Sequence, residues 1–292
     1  MSLFKSLAVA CTIAATSATP ISPSRVRTAA DEAQSAFPIG DACAHEWQSL
    51  HFNPDDETHK GRLQKLHDVI CSGEMRAISS WGGKAATDKA EVFKLSFDLE
   101  EETPEKVNDV LKKIYGNDSN DGAIGEIVGT MIVDNNDFGN EDDGSCTVKG
   151  TQGYTLKDGG DGLEKIHFGD GVFDMPLAGN VDCGSLDKYP SEKMDTFSRV
   201  VLHEMLHYST VGLQSQLGDQ LVDQKKNDGN YAYGHARAHG LQDPGQDDQP
   251  GKSEINADNF AYMALSTWVG YFCLPEDKKD QYGTYFPDAP PH

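Results

Sequence analysis

No stretch of the 292-residue chain approaches the roughly 20 consecutive apolar residues that a membrane-spanning helix needs. Positive charge is also scarce. Lys plus Arg number 25 against 47 Asp plus Glu, a net charge of −22. A surface that acidic repels phosphate backbones and anionic lipid, so neither nucleic acid nor a membrane is an expected partner. None of the 6 cysteines falls in a Cys-x-x-Cys pair, which removes the commonest thiolate zinc sites. There is no internal repeat and no low-complexity linker. What is present is globular in composition: 37% hydrophobic residues, with Leu, Val, Ile, Phe and Trp recurring in patterned blocks.

The N-terminus, Met1 to Pro20, carries one charge, Lys5, before a short apolar stretch from Leu7 to Ala15. Small residues follow, with Ala18 at a cleavage-like position. Residues 1–18 therefore read as a secretory signal peptide. Residues 19–40 read as a pro-segment or flexible N-terminus, and 41–292 as a single domain, expected to be a secreted, extracellular monomer. Loss of Cys11 with the signal leaves Cys43, Cys71, Cys146, Cys183 and Cys273. In an oxidising compartment the simplest account is two bridges and one free thiol, with the connectivity open. Asn117-Asp118-Ser119 is an N-glycosylation sequon, which makes Asn117 the expected acceptor.

Hydrophobic spacing predicts helix over 61–81, again from Ala85 to Phe97, and from Thr103-Pro104 to Gly116 with Val107, Val110, Leu111 and Ile114 on one face. The segment 124–133 is compatible with strand or helix. From Asn135 to Asn180 the glycine- and aspartate-rich texture predicts short strands and turns. Helical texture returns after Cys183. The expected class is α+β: mostly helical in the C-terminal half, with a small β region before residue 200.

His203-Glu204-Met205-Leu206-His207 is an HExxH motif. On a helix, residues four apart share a face, so two imidazoles can address one metal with Glu204 beside them to hold a water. Asp195 or Thr196 is the expected cap of that helix and Gly212 its end. A catalytic zinc takes three protein ligands. The longer HExxHxxGxxH pattern is excluded by Thr210 and Leu213. Glu254, followed four residues later by Asp258, is one candidate third ligand; a downstream Asp is the other.

From Val200 to Trp268 the chain resembles the aspzincins, the deuterolysin and peptidyl-Lys metalloendopeptidase group of secreted, mainly fungal, zinc proteases. The residues that carry the resemblance are His203, Glu204 and His207, then Asp223 or Asp228, Tyr233-Gly234, and Asn256-Ala257-Asp258-Asn259. It covers about a quarter of the chain. It implies a zincin-like catalytic domain, one zinc ion per chain, and hydrolysis of peptide bonds in a protein or peptide substrate. It also implies an Asp ligand, Asp258 as a residue orienting the zinc histidines, and the Tyr233 phenol near the developing oxyanion. The chain departs from the family's Gly-Thr-x-x-Asp-x-x-Tyr-Gly pattern, because Asn230 stands three residues before Tyr233. Asp223, anchored by Leu221-Val222, is the favoured ligand; Asp228 lies in an Asn-Asp-Gly turn sequence. His235 and His239 form a second pair four apart, read as surface residues and otherwise as an auxiliary metal site. His45, His51, His59 and His67 carry no assigned role. The competing reading is an extracellular zinc-binding or host-interaction protein with little proteolysis.

Overall fold

The computed structural model describes residues 47–71, 73–88, 90–97, 103–116, 131–138, 146, 150–157, 162–242 and 252–291. The expected signal peptide (1–18), the 19–40 segment, the Asn117 sequon and residues 124–130 lie outside the described residues.

Helix α1, Glu57–Ile70, begins where the Asp56 carboxylate accepts the backbone N–H groups of Thr58 and His59. Its Leu63, Leu66, Val69 and Ile70 form the buried stripe. The predicted run 61–81 is not one helix. Gly73 takes φ +96°, a left-handed turn that L side chains rarely adopt, and a second helix, α2, starts at Glu74 and continues to Asp88. Ala85 therefore lies inside the last turn of α2 rather than opening a new helix. The remainder of the predicted 85–97 segment is a single turn, α3, Glu91–Lys94, followed by Phe97 in the core. Helix α4, Thr103–Tyr115, follows its spacing: Val107, Val110, Leu111 and Ile114 are buried.

Four short strands make one sheet: β1 (Gln48–Leu50), β2 (Ile132–Asp134), β3 (Gly153–Leu156) and β4 (Lys165–Phe168). Their order is β1-β2-β4-β3. β1 with β2 and β2 with β4 run parallel, while β3 runs antiparallel to β4 with Thr155 opposite Ile166. β3 is therefore an edge strand. Phe168 meets Phe197 at 5.8 Å between ring centroids, which seats the sheet on helix α5, Phe197–Leu206. Two short helices follow, α6 (Ser209–Gly212) and α7 (His235–His239), and then α8, Ala257–Cys273. α8 is buried from Ala257 to Gly270, as its apolar sequence requires. One hydrophobic cluster runs from Trp47 to Phe286 and includes residues of the sheet and of α1, α2, α4, α5 and α8. The architecture is α+β, with a small sheet and mostly helices.

Cys183 and Cys273 form a disulfide that ties the loop before α5 to the end of α8. Cys71 is also disulfide-bonded, and Cys146 is free. Burial first, then the nearby Asp137, Glu204 and Asp170 carboxylates, push the Cys146 thiol up to about 12. One thiol per mature chain is expected to label after denaturation without reductant, and that thiol to react slowly in the native protein, because thiolate is the reactive form. Mass spectrometry after alkylation counts the labels. Three or more would contradict the pairing and count against the expected oxidising compartment.

Candidate metal centre

The local sequence explains why His203 and His207 face one point. α5 starts at Thr196, whose side chain accepts the Arg199 N–H, and every residue from Phe197 to Leu206 is buried. The helix ends at Leu206 with His207 as its cap, six residues short of the expected Gly212. The cause is Tyr208. Its buried phenol oxygen accepts the Ile132 N–H at 2.8 Å and donates to the Glu164 carbonyl at 3.1 Å, pinning the chain to β2 and redirecting it. Both imidazoles keep helical spacing.

Each imidazole is oriented through its Nδ1. His203 Nδ1 donates to Asp258 Oδ1 at 2.6 Å, and His207 Nδ1 donates to the Leu221 carbonyl at 3.1 Å. Both Nε2 lone pairs are then left for a common partner.

Asp223 arrives from a separate segment that α8 holds at its start. Val222 N–H donates to Ile255 O and Ala257 N–H to Val222 O, while Asn256 Oδ1 accepts the Gln224 N–H. Asn256 thus fixes the backbone on both sides of Asp223. The following residues turn back as a small hairpin, Lys225 pairing with Tyr231 and Ala232 N–H bonding to Gln224 O. This hairpin accounts for the long Asp223-to-Tyr233 spacing: the intervening residues bulge away, and Tyr233 OH still donates to Asp223 Oδ2 at 2.9 Å. Gly234, at φ +84°, turns the chain from the hairpin into α7 and gives its N–H to Asp258 Oδ2 at 2.8 Å.

His203 Nε2, His207 Nε2 and Asp223 Oδ1 form a near-equilateral triangle with sides of 3.1, 3.3 and 3.4 Å. A tetrahedral zinc with bonds of about 2.0–2.1 Å holds its ligands about 3.3–3.4 Å apart. Asp223 Oδ1 is buried and has no hydrogen-bond partner. Three inward-facing acceptors this close repel one another unless a cation or proton lies between them. These residues fit zinc, and among the described residues they form the one His/Cys/Asp/Glu group close enough to hold an ion. Without metal, burial opposes a charged His203, but Asp258 and Asp223 outweigh it and hold its pKa well above the usual histidine value. Burial likewise opposes ionisation of Asp223, yet His203 and His207 hold it well below the carboxylate range.

Glu204 lies beside this triangle, 3% exposed, with Oε1 at 4.0 Å from His203 Nε2. Thr155 on β3 donates to Glu204 Oε2 at 2.8 Å, which fixes the carboxylate. Burial raises the Glu204 pKa, and the two histidines partly offset it. Gly153 makes room for it: a Cβ there would stand 3.2 Å from Glu204 Oε1.

The other sequence candidates lie elsewhere. Asp228 caps its turn by accepting the Asn230 N–H and pairs with Arg237 at 2.9 Å. Glu254 accepts the Thr103 hydroxyl at 2.7 Å. Neither joins the triangle. The expectation that His235 and His239 lie on the surface is corrected: both are 8% exposed. The His235 ring packs on Tyr262 at 3.7 Å, and burial pushes its pKa down to about 3, so it stays neutral. His239 Nδ1 donates to the Leu95 carbonyl at 2.6 Å. They form no auxiliary metal group. Tyr233, 49% exposed, stacks on Tyr231 and bonds Asp223 rather than standing free above the site. Thr155 and Arg199 are the residues that sequence reasoning missed as parts of the site. Asn256 stands in the Asn-Ala-Asp-Asn segment that carries the resemblance, without a role read for it there; its hold on the Gln224 N–H supplies one.

No protein-family model matches the chain, and no curated protein does. Among solved structures it is similar to a zinc peptidase from Grifola frondosa, at 19% identity over 67% of this chain and 96% of that one, with a TM-score of 0.35. A likeness that distant carries no chemistry across, and the functional reading rests on the triangle of His203, His207 and Asp223 with Glu204 beside it.

Proposed function

We propose that the chain is a zinc-dependent metalloendopeptidase of the aspzincin type, acting on protein or peptide substrates. The observation that supports this most is the triangle of acceptors spaced for tetrahedral zinc, with a buried carboxylate at its edge. A zinc ion held by His203, His207 and Asp223 supplies Lewis-acid polarisation of a carbonyl and acidifies water. The chain's own residues do the rest. Glu204, held by Thr155, takes a proton from the attacking water as its oxygen adds to the scissile carbonyl carbon. The same carboxyl then gives that proton to the leaving amine nitrogen as the C–N bond breaks. Its raised pKa suits a group that must both accept and donate. Asp258 and the Leu221 carbonyl keep each imidazole in the Nδ1–H tautomer. Tyr233 is proposed to leave Asp223 and donate to the oxyanion, a short move for an exposed side chain.

Secretion as a monomer, with the N-terminal segment removed and Asn117 glycosylated, completes the proposal. The Cys183–Cys273 bridge is compatible with an oxidising compartment. No helix among the described residues is long and apolar enough to cross a membrane. The deciding experiment is hydrolysis of unlabelled casein by the purified chain. Cleavage should stop with chelator and return with zinc. A chain that binds zinc and leaves casein intact would favour the metal-binding, non-proteolytic reading.

A further inference from the structure

Arg199 is the least expected residue near the centre. It lies in the first turn of α5, where a cation opposes the helix dipole, and its side chain is only 6% exposed. A buried guanidinium persists only when its donors are met. Asp195 meets two of them, from Nε at 2.8 Å and Nη2 at 3.0 Å. Nη2 also donates to Gln152 Oε1 at 2.5 Å. Nη1 stands 3.7 Å from Asp258 Oδ1, the oxygen that accepts His203 Nδ1. The cation lies over the Tyr262 ring at 4.9 Å.

These contacts reach both parts of the site. Asp258 is 1% exposed, and besides Arg199 it is met by the His203 Nδ1–H and the Gly234 N–H. Gln152 is the residue before Gly153, whose backbone lies against Glu204, and two residues later Thr155 holds the Glu204 carboxylate. Gln152 O also accepts the Gly169 N–H at 2.9 Å, so its backbone is already set on the β4 side.

We infer that Arg199 is a positioning residue with two arms: through Asp258 it fixes His203 toward the metal, and through Gln152 it fixes the start of β3 on Glu204. The metal arm stands on the chain's own geometry; the Gln152 arm rests on the proposed peptidase reading. A lysine cannot replace the arginine, because a single ammonium lacks the planar fork that serves Asp195 and Gln152 together.

The test uses the full-length purified protein, with zinc affinity measured by chelator competition and kcat and KM on a casein-derived peptide. Arg199→Met should lower zinc affinity by about 10–100-fold, the usual effect of losing an outer partner of a metal histidine. Arg199→Lys should lose affinity less. Gln152→Ala should leave affinity unchanged and lower kcat at constant KM. In an Asp258→Ala background, Arg199→Met should cost little further affinity, because both changes break one path. A merely structural Arg199 would lower Tm, leave affinity unchanged, or add its full loss in the double variant; either affinity result overturns the inference. If Arg199→Met fails to fold, Arg199→Lys and the Asp258 cycle built on it decide. If wild type binds zinc without cleaving, the peptidase reading falls and the affinity cycle still decides the metal arm. If wild type binds no zinc, both the metal reading and the peptidase reading fall. The low-field His203 Nδ1–H proton resonance then decides what is left, that Arg199 orients His203 through Asp258: an unchanged resonance in Arg199→Lys overturns it.

Discussion

Glu204→Gln is expected to abolish casein cleavage while the protein keeps its zinc. The amide has the shape of the carboxylate and can still accept the Thr155 hydroxyl, so the 2.8 Å contact that orients the side chain survives. What it cannot do is take a proton from water, and general acid–base assistance of this kind is worth about 10²–10⁴-fold. Zinc should stay, because the ligand triangle is His203, His207 and Asp223, and Glu204 stands outside it. Burial already disfavours the Glu204 carboxylate, so the neutral amide should hold or raise Tm rather than lower it. Initial rates on casein, metal content and a thermal melt of the same preparation give all three results. A variant as active as wild type would remove Glu204 from the mechanism.

The parts of this centre that were legible in the sequence are those set by local spacing. Two histidines four apart with a Glu between them need only one helical turn to converge, and α5 supplies it. The α4 stripe was legible for the same reason: its apolar residues recur at helical spacing and its end is marked by Gly116. The Asn-Asp-Gly signal correctly placed Asp228 in a turn, because the Asp228 carboxylate caps its own loop by accepting the Asn230 N–H.

What was not legible depends on partners far along the chain. Nothing near Leu206 announces the end of α5; the break comes from the Tyr208 phenol meeting the Ile132 N–H, 76 residues away. The Asp223-to-Tyr233 spacing read as a departure from pattern, because residue counting cannot see that a hairpin brings its two ends together. His235 and His239 read as surface residues from a polar local sequence. α7 has five residues, too few for a periodic signal, and the turn at Gly234 lays it against α8 so that Tyr262 and the Leu95 carbonyl cover the two rings. The buried Arg199 was equally hidden, since arginine in a first helical turn normally points to solvent.

The third ligand gives the sharpest expected contrast. Asp223→Ala should be purified nearly free of zinc, Asp258→Ala should retain it weakly, and Asp228→Ala and Glu254→Ala should match wild type. The order follows from what each carboxylate touches. Asp223 Oδ1 closes the triangle at 3.3 and 3.4 Å from the two Nε2 atoms and has no other partner, so its removal leaves two imidazoles on one helix and no anion facing them. Asp258 acts through His203 Nδ1. Its loss frees the ring and its tautomer but removes no ligand atom, which typically costs about 10–100-fold in affinity. Asp228 is engaged with Arg237 in an exposed turn, and Glu254 with the Thr103 hydroxyl, so neither variant disturbs the triangle. Equal dialysis of the four proteins followed by metal analysis ranks them. Stoichiometric zinc in Asp223→Ala beside an empty Glu254→Ala would replace the Asp ligand with a Glu and move the chain to a different class of HExxH enzyme. An empty Asp228→Ala would mean that the hairpin tip, not its base, carries the ligand.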